Sequence, residues 1–407
     1  MKRTLSPLSL LLVVLAVAVA VAVAVAVAFA PAPAAAQDLS RYVSIGDSLT
    51  HGAMNACVVK YGQTDSYPAL IARSAGVDFQ QPLVDDPGLG SPGCWVLQSL
   101  APSITFKYMP STGKLLNLAL LRPYNNLGIS SYKASDVVDK KGDTPPGITD
   151  TVLRGLGTAL QQGASLKPTF VTVWIGNNDF LGAVTSAIVA DGLTLTPRAS
   201  FRASYDTILK TLAASQPNGV GSGVVIYADN AAKLRTRVAE FNADIRSLAA
   251  TYGYKVLDLN AFFADLAAHG RDYGGMQLTK EIMTDGIFGY DGIHPTSVGY
   301  ALIADEFVQL FNSTFTHPLP RPDIAAILLN DNSIGGWFPL PQGVTRSFEE
   351  LNQITSQIYD EEGRAGLAQM FPLVGSLSEL QPGDDGAPVT GSHGLRSHGR
   401  GSTETTH

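Results

Sequence analysis

Short apolar runs that end in polar turns recur along the chain and predict strands. Tyr42 to Ile45 is one, and it runs into Gly46-Asp47-Ser48-Leu49. Phe170-Val171-Thr172-Val173-Trp174-Ile175 is a second, continuous enough to be buried on both faces, and it ends in Gly176-Asn177-Asn178-Asp179. Gly223 to Tyr227 and Lys255 to Leu259 have the same character. Between them Leu234, Val238, Phe241, Ile245, Leu248 and Tyr252 follow at alternating spacings of four and three, closed by Gly253. That pattern predicts an amphipathic helix from Ala231 to Tyr252. A further helix is predicted over Ser297 to Phe311, with Leu302, Ile303, Val308, Leu310 and Phe311 apolar and Pro295 suited to its first turn. Strand, helix and strand in succession make a βαβ unit, hence an α/β domain with a mainly parallel sheet.

The two ends depart from this pattern. Lys2 and Arg3 precede an uncharged stretch from Thr4 to Gln37 dominated by Leu, Ala and Val, which reads as an export signal over residues 1–36. Ala34-Ala35-Ala36 offers a small-residue cleavage site, so a mature start at Gln37 is expected. The apolar run is also long enough to remain as an uncleaved anchor. No cysteine lies near it for lipid attachment. Past Thr316, His317-Pro318-Leu319-Pro320-Arg321-Pro322 breaks the periodicity and opens an extension over 316–375, with one helix expected from Ser347 to Tyr359 and packing against the domain. From Ser376 onward Gly, Ser, Thr and His dominate, and a disordered tail over 376–407 is expected. The main domain is thus 37–315, with a long, weakly patterned insertion at about 52–125.

Removing residues 1–36 takes Lys2 and Arg3 with no acid and moves the formal net charge from −7 to −9. An acidic chain offers no basic patch for nucleic acid or an anionic membrane surface, so neither is an expected partner. Cys57 and Cys94, the chain's 2 cysteines, both fall in the insertion. In an oxidising compartment they would form a disulfide, the alternative being two buried thiols. No histidine has metal-ligand spacing, and neither a metal nor another cofactor is expected.

Candidate chemistry sits at the strand ends. Ser48, where a strand meets a turn, is a nucleophile candidate or an ordinary helix cap. Asp291-Gly292-Ile293-His294-Pro295 sets a carboxylate three residues before a histidine, an acid–base pair or a helix-capping turn. Asn178 follows a buried strand at the end where open α/β sheets bind ligands. Asn126-Leu127-Gly128 is recommended only by its place in the order. Asp285 is a rival to Asp291, and His51 reads as cleft lining or surface. Gly88-Leu89-Gly90-Ser91-Pro92-Gly93 matches a dinucleotide fingerprint as a string, but Asp85-Asp86-Pro87 stands where a strand is needed, so a Gly/Pro loop is expected. No G-x-S-x-G string occurs.

Taken in order, Gly46-Asp47-Ser48-Leu49, Asn126-Leu127-Gly128, Gly176-Asn177-Asn178-Asp179 and Asp291-Gly292-Ile293-His294 resemble the four blocks of the SGNH, or GDSL, hydrolases over roughly residues 40–315. The resemblance implies a three-layer αβα, flavodoxin-like fold and ester hydrolysis through an acyl-enzyme intermediate. It implies Ser48 as nucleophile, His294 as base and Asp291 as its orienting carboxylate. The implied oxyanion hole is the N–H groups of Ser48 and Gly128 with the Asn178 amide. Substrates would be small-molecule, lipid or carbohydrate esters met outside the cell or at its surface. Trp95, Leu97, Leu100, Phe106, Tyr108 and Met109 of the insertion are apolar enough to line an acyl pocket or to form satellite core. A carbohydrate acetylesterase of the same fold is one alternative; a non-catalytic carbohydrate-binding or scaffold protein is the other.

Overall fold

A computed structural model of the chain describes residues 37–90, 93–99, 105–186, 188–215, 220–222, 232–273, 276–282, 286–289 and 291–330. Five strands form its central sheet: β1 (Tyr42–Gly46), β2 (Asn126–Gly128), β3 (Phe170–Trp174), β4 (Val220–Ser222) and β5 (Lys255–Leu257). They lie in the order β2-β1-β3-β4-β5, every neighbouring pair parallel. This is the flavodoxin-like doubly wound order, and it confirms the predicted fold class.

The helices that cover the sheet are α2 (Tyr67–Ala75), α3 (Ala134–Asp139), α4 (Ala159–Ser165), α6 (Arg198–Ser215), α7 (Ala232–Tyr252), α8 (Leu259–His269) and α9 (Ser297–Thr314). Two short helices, α1 (Ser48–His51) and α5 (Asn178–Ser186), start directly beyond β1 and β3. Alternation along the strands divides the core. Tyr42, Phe170 and Trp174 pack on one face with Leu70 of α2, Phe262 of α8 and Phe307 of α9. Val43, Ile45, Val171 and Val173 pack on the other with Leu160 of α4, Phe201 of α6 and Phe241 of α7. The Phe201 and Phe241 rings stack with centroids 3.8 Å apart, and Tyr67 stacks on Phe307 at 4.9 Å, so aromatic contacts join neighbouring helices in both outer layers. Three layers follow because each sheet face is apolar and must be covered.

Element ends differ slightly from expectation. Leu259 does not finish a strand: Asp258 caps α8 by accepting the Ala261 N–H, so β5 stops at Leu257. The expected strand at 223–227 lies outside the described residues; the described strand just before it is Val220–Ser222. Pro295 stands one residue before the α9 cap instead of in its first turn: Thr296 caps α9, its hydroxyl accepting the Gly299 N–H. Residues 316–330 lie along α9: Asn312 Nδ2 donates to Leu319 O at 2.9 Å, Arg321 pairs with Asp305, and Ile324 and Leu328 enter the core. The helix expected at 347–359 and the tail lie outside the described residues.

Within the insertion, Ala53–Met54 and Cys57–Val58 form a tight antiparallel hairpin, and Cys57 is bonded to Cys94 in a disulfide. Cys94–Ser99 pairs with Thr105–Met109. The side chains expected to line a pocket there lie outside the described residues. The Gly-rich string is a loop, with Leu89–Gly90 paired to Cys57–Val58 and Gly88 at φ 99°.

Candidate active site

The turn after β1 is built on a close approach. A Cβ on Gly46 would overlap Trp174 O of the neighbouring strand and the Thr50 hydroxyl, so only glycine fits there. Asp47 is fully buried and caps α1 by accepting the Leu49 N–H at 3.0 Å. Its other oxygen accepts Asn177 Nδ2 at 2.8 Å. That bond ties the loops after β1 and β3 together where the strand order diverges, the usual ligand site of such sheets. Burial pushes the Asp47 carboxyl up to about 6 against the hydrogen bonds from Asn177 and Leu49 and the charge of His294. Ser48, partly exposed, is the first residue of α1, so its N–H has no partner within the helix.

Asp291 and His294 form a compact bracket. His294 Nδ1 lies 2.7 Å from Asp291 Oδ2, and Asp291 Oδ1 accepts the N–H groups of Ile293 and His294 at 2.9 Å each. Burial opposes ionisation of this carboxyl, yet the His294 charge and these hydrogen bonds outweigh it and hold Asp291 below the usual carboxylate range. Burial also pushes the imidazole down, but the Asp291 charge and hydrogen bond, with the Asp47 charge behind them, bring His294 out above its ordinary value. With Nδ1 held by the carboxylate, Nε2 is left for proton transfer. Asp285 lies outside the described residues; Asp291 is the carboxylate on the His294 ring.

Asn178 begins α5 and donates Nδ2 to Tyr132 O at 3.0 Å, which takes one of its two N–H donors. The next residue, Asp179, is buried and anchors the start of α3 by accepting the Ala134 N–H at 2.9 Å.

Gly128 corrects the sequence expectation. Its N–H donates to Asn126 Oδ1 at 2.9 Å in a buried contact and is not presented to a substrate. Glycine is needed there for packing, because a Cβ would overlap the His51 nitrogen and lie 2.6 Å from Thr50 C. Asn126 is the working member of its motif: Nδ2 donates to Thr50 O at 2.8 Å and to Gln81 Oε1 at 3.0 Å, fixing α1 from below. His51 is a second correction, fully buried instead of lining a cleft or the surface, with Nδ1 3.4 Å from Ser130 Oγ. Burial drops it to about 3, so it stays neutral. Sequence reasoning missed Asn177, because it occupies the variable place of a motif, and Asn126, because only the fold reveals the helix it holds.

Among the described residues no group of three or more His, Cys, Asp or Glu is placed to hold a metal ion.

A parallel three-layer sheet with a serine turn and a His–Asp bracket defines a hydrolase-type α/β protein. The chain matches the GDSL-like lipase/acylhydrolase family over residues 42–307 and belongs to it. Among solved structures it is similar to LAE5, an alpha/beta hydrolase enzyme from the metagenome of Lake Arreo, Spain, at 16% identity and TM-score 0.40, covering 70% of this chain and 99% of that one. It is similar to the lipase/acylhydrolase from Enterococcus faecalis at 17% and 0.35, with coverage of 69% and 98%. The psychrotrophic esterase EstA from Pseudoalteromonas sp. stands at 14% and 0.33, with coverage of 67% and 96%. No curated protein matches.

Proposed function

We propose that this acylhydrolase is an exported serine esterase that cleaves carboxylic esters through an acyl-enzyme. The observation that carries the reading is the Asp291–His294 bracket, which occupies Nδ1 of an imidazole of raised basicity and so assigns proton transfer to Nε2, in a chain of this family. Ser48 Oγ attacks the ester carbonyl carbon while His294 Nε2 takes its proton. Asp291 steadies the imidazolium that forms. The Ser48 N–H and the second N–H of Asn178 stabilise the oxyanion. Collapse expels the alcohol, which receives the proton from His294. Water activated by the same imidazole then releases the acid and frees Ser48.

Export is supported by the charged start and apolar run of residues 1–36 and by the Cys57–Cys94 disulfide, which suits an oxidising compartment. Cell fractionation with N-terminal sequencing tests it: a start at Gln37 in the extracellular or periplasmic fraction is expected, and a protein retained in the cytoplasm with Met1 intact contradicts it.

The chemistry is tested with p-nitrophenyl esters of graded chain length and a serine-directed phosphonate. Turnover and labelling are both expected, and both vanish in S48A. Hydrolysis that persists in S48A rejects the nucleophile.

A further inference from the structure

We propose that the turn Asn55–Ala56, fastened by the Cys57–Cys94 disulfide, positions the acid–base pair by holding the Asp291 carboxylate through the Ala56 N–H. This rests on the catalytic reading of Asp291 and His294. Ala56 N donates to Asp291 Oδ2 at 2.5 Å, and that oxygen is the one facing His294 Nδ1 at 2.7 Å. A single carboxylate oxygen is therefore fixed between a main-chain donor from the insertion and the imidazole ring. Apart from the ring that the carboxylate serves, the bracket supplies donors only on Oδ1, so nothing else within it fixes rotation about that oxygen. The turn sets the second point of the plane.

The turn is over-determined, as an element that sets a geometry must be. Asn55 and Ala56 have φ of 54° and 64°, both left-handed, between strands in which Met54 pairs with Cys57. This is the two-residue hairpin geometry that favours Asn followed by Gly, so an alanine in the second place persists only because its surroundings hold it. Four contacts do so. The Tyr300 hydroxyl of α9 donates to Ala53 O at 2.7 Å. Cys57 is tied to Cys94. Gly90 packs so closely that a Cβ there would lie 2.7 Å from both Ala56 O and Cys57 Cβ. Asn55 Oδ1 rests against Gly289, 2.5 Å from where a Cβ would stand, and the Gly289 N–H in turn holds His294 O at 2.8 Å. The hairpin follows α1 by one residue, so one short segment joins the Ser48 helix to the Asp291 loop.

The consequence is kinetic. Ionisable groups facing this pair are Tyr300 toward Asp291 and Asp47 toward His294, besides the pair's own charges. Once the Ala56 N–H is displaced the carboxylate rotates off Nδ1, and its charge supports the imidazolium less. Turnover falls, and the base deprotonates at lower pH.

The test compares A56V, A56G and C57S/C94S in the full mature protein, with p-nitrophenyl acetate as probe and S48A as reference. Valine at a left-handed position must move the backbone, whereas glycine keeps both conformation and N–H. A56V is expected to lose roughly tenfold to a hundredfold in kcat with little change in KM, the scale of one hydrogen bond to a charged group. The acid limb of its kcat/KM profile is expected at lower pH. A56G keeps the original limb, and C57S/C94S shifts in the direction of A56V. Unchanged kcat and limb in A56V overturn the proposal, as does A56G losing as much as A56V. If A56V does not fold, an unchanged limb in C57S/C94S overturns it. Activity in S48A would instead reject the catalytic reading itself.

Discussion

His294 Nδ1 lies 2.7 Å from Asp291 Oδ2, while the other oxygen of that carboxylate accepts the His294 N–H at 2.9 Å. One side chain thus anchors both the ring and the backbone of the same residue. D291N keeps the shape but offers the ring an amide that can select the wrong tautomer. A kcat loss of roughly a thousandfold or more is expected, with the fold retained by circular dichroism. In the unmodified protein the rate falls as pH drops through the raised His294 value, because the protonated ring cannot act as base. D291N removes the charge that raises it, so the remaining activity should extend to lower pH. A limb in the original place would show that Asp291 does not tune the base.

Asn178→Ala removes a side-chain donor assigned to the oxyanion and leaves Tyr132 O without its partner. Turnover is expected to fall roughly a hundredfold to a thousandfold. Melting should shift little, since Asn178 is partly exposed. Steady-state kinetics alongside calorimetry check it: normal kcat takes Asn178 out of the hole.

Gly128→Ala should act on stability first. Its Cβ would collide with the Thr50–His51 backbone, which cannot yield as a flexible side chain would. A loss of about 2 kcal/mol or more, or failure to fold, is expected in urea unfolding. A stable variant impaired only in kcat would return Gly128 to the oxyanion hole.

Asp47 gives stability a defined pH slope. Burial raises its folded value to about 6 from 3.8, so its contribution is whole below the ordinary carboxylate value and is lost as pH rises through about 6. Asp179, also moved to about 6 by burial, adds a slope of the same sign. D47N should flatten the decline in melting temperature between about pH 4 and 6 without abolishing it, because Asp179 remains. An unchanged slope would show that Asp47 does not titrate there.

The periodic parts of the chain were legible before folding. The Leu234-to-Tyr252 spacing located α7 to within a residue, and the apolar runs at Tyr42 and Phe170 became β1 and β3, because burial imposes a period on sequence. Ser48, Asn178, Asp291 and His294 were legible as motif members. Gly128 was misjudged because a glycine at a strand end can serve close packing or an exposed N–H, and only the Asn126 carbonyl beside it decides. His51 was misjudged because α1 is a single turn pressed onto β2, which buries the face that carries Thr50 and His51. Ala56 was invisible: its contribution is a main-chain N–H, which any residue but proline supplies, brought to Asp291 across 235 residues.

The grip of Asp291 on Ile293 and His294 has an architectural consequence. Because its carboxylate captures the Ile293 and His294 N–H groups within a single turn of chain, the proton carrier is a cartridge whose backbone is written locally, while the plane of its carboxylate is set from outside by the Ala56 N–H. Lengthening or shortening the connections upstream would re-aim that cartridge before it could deform it.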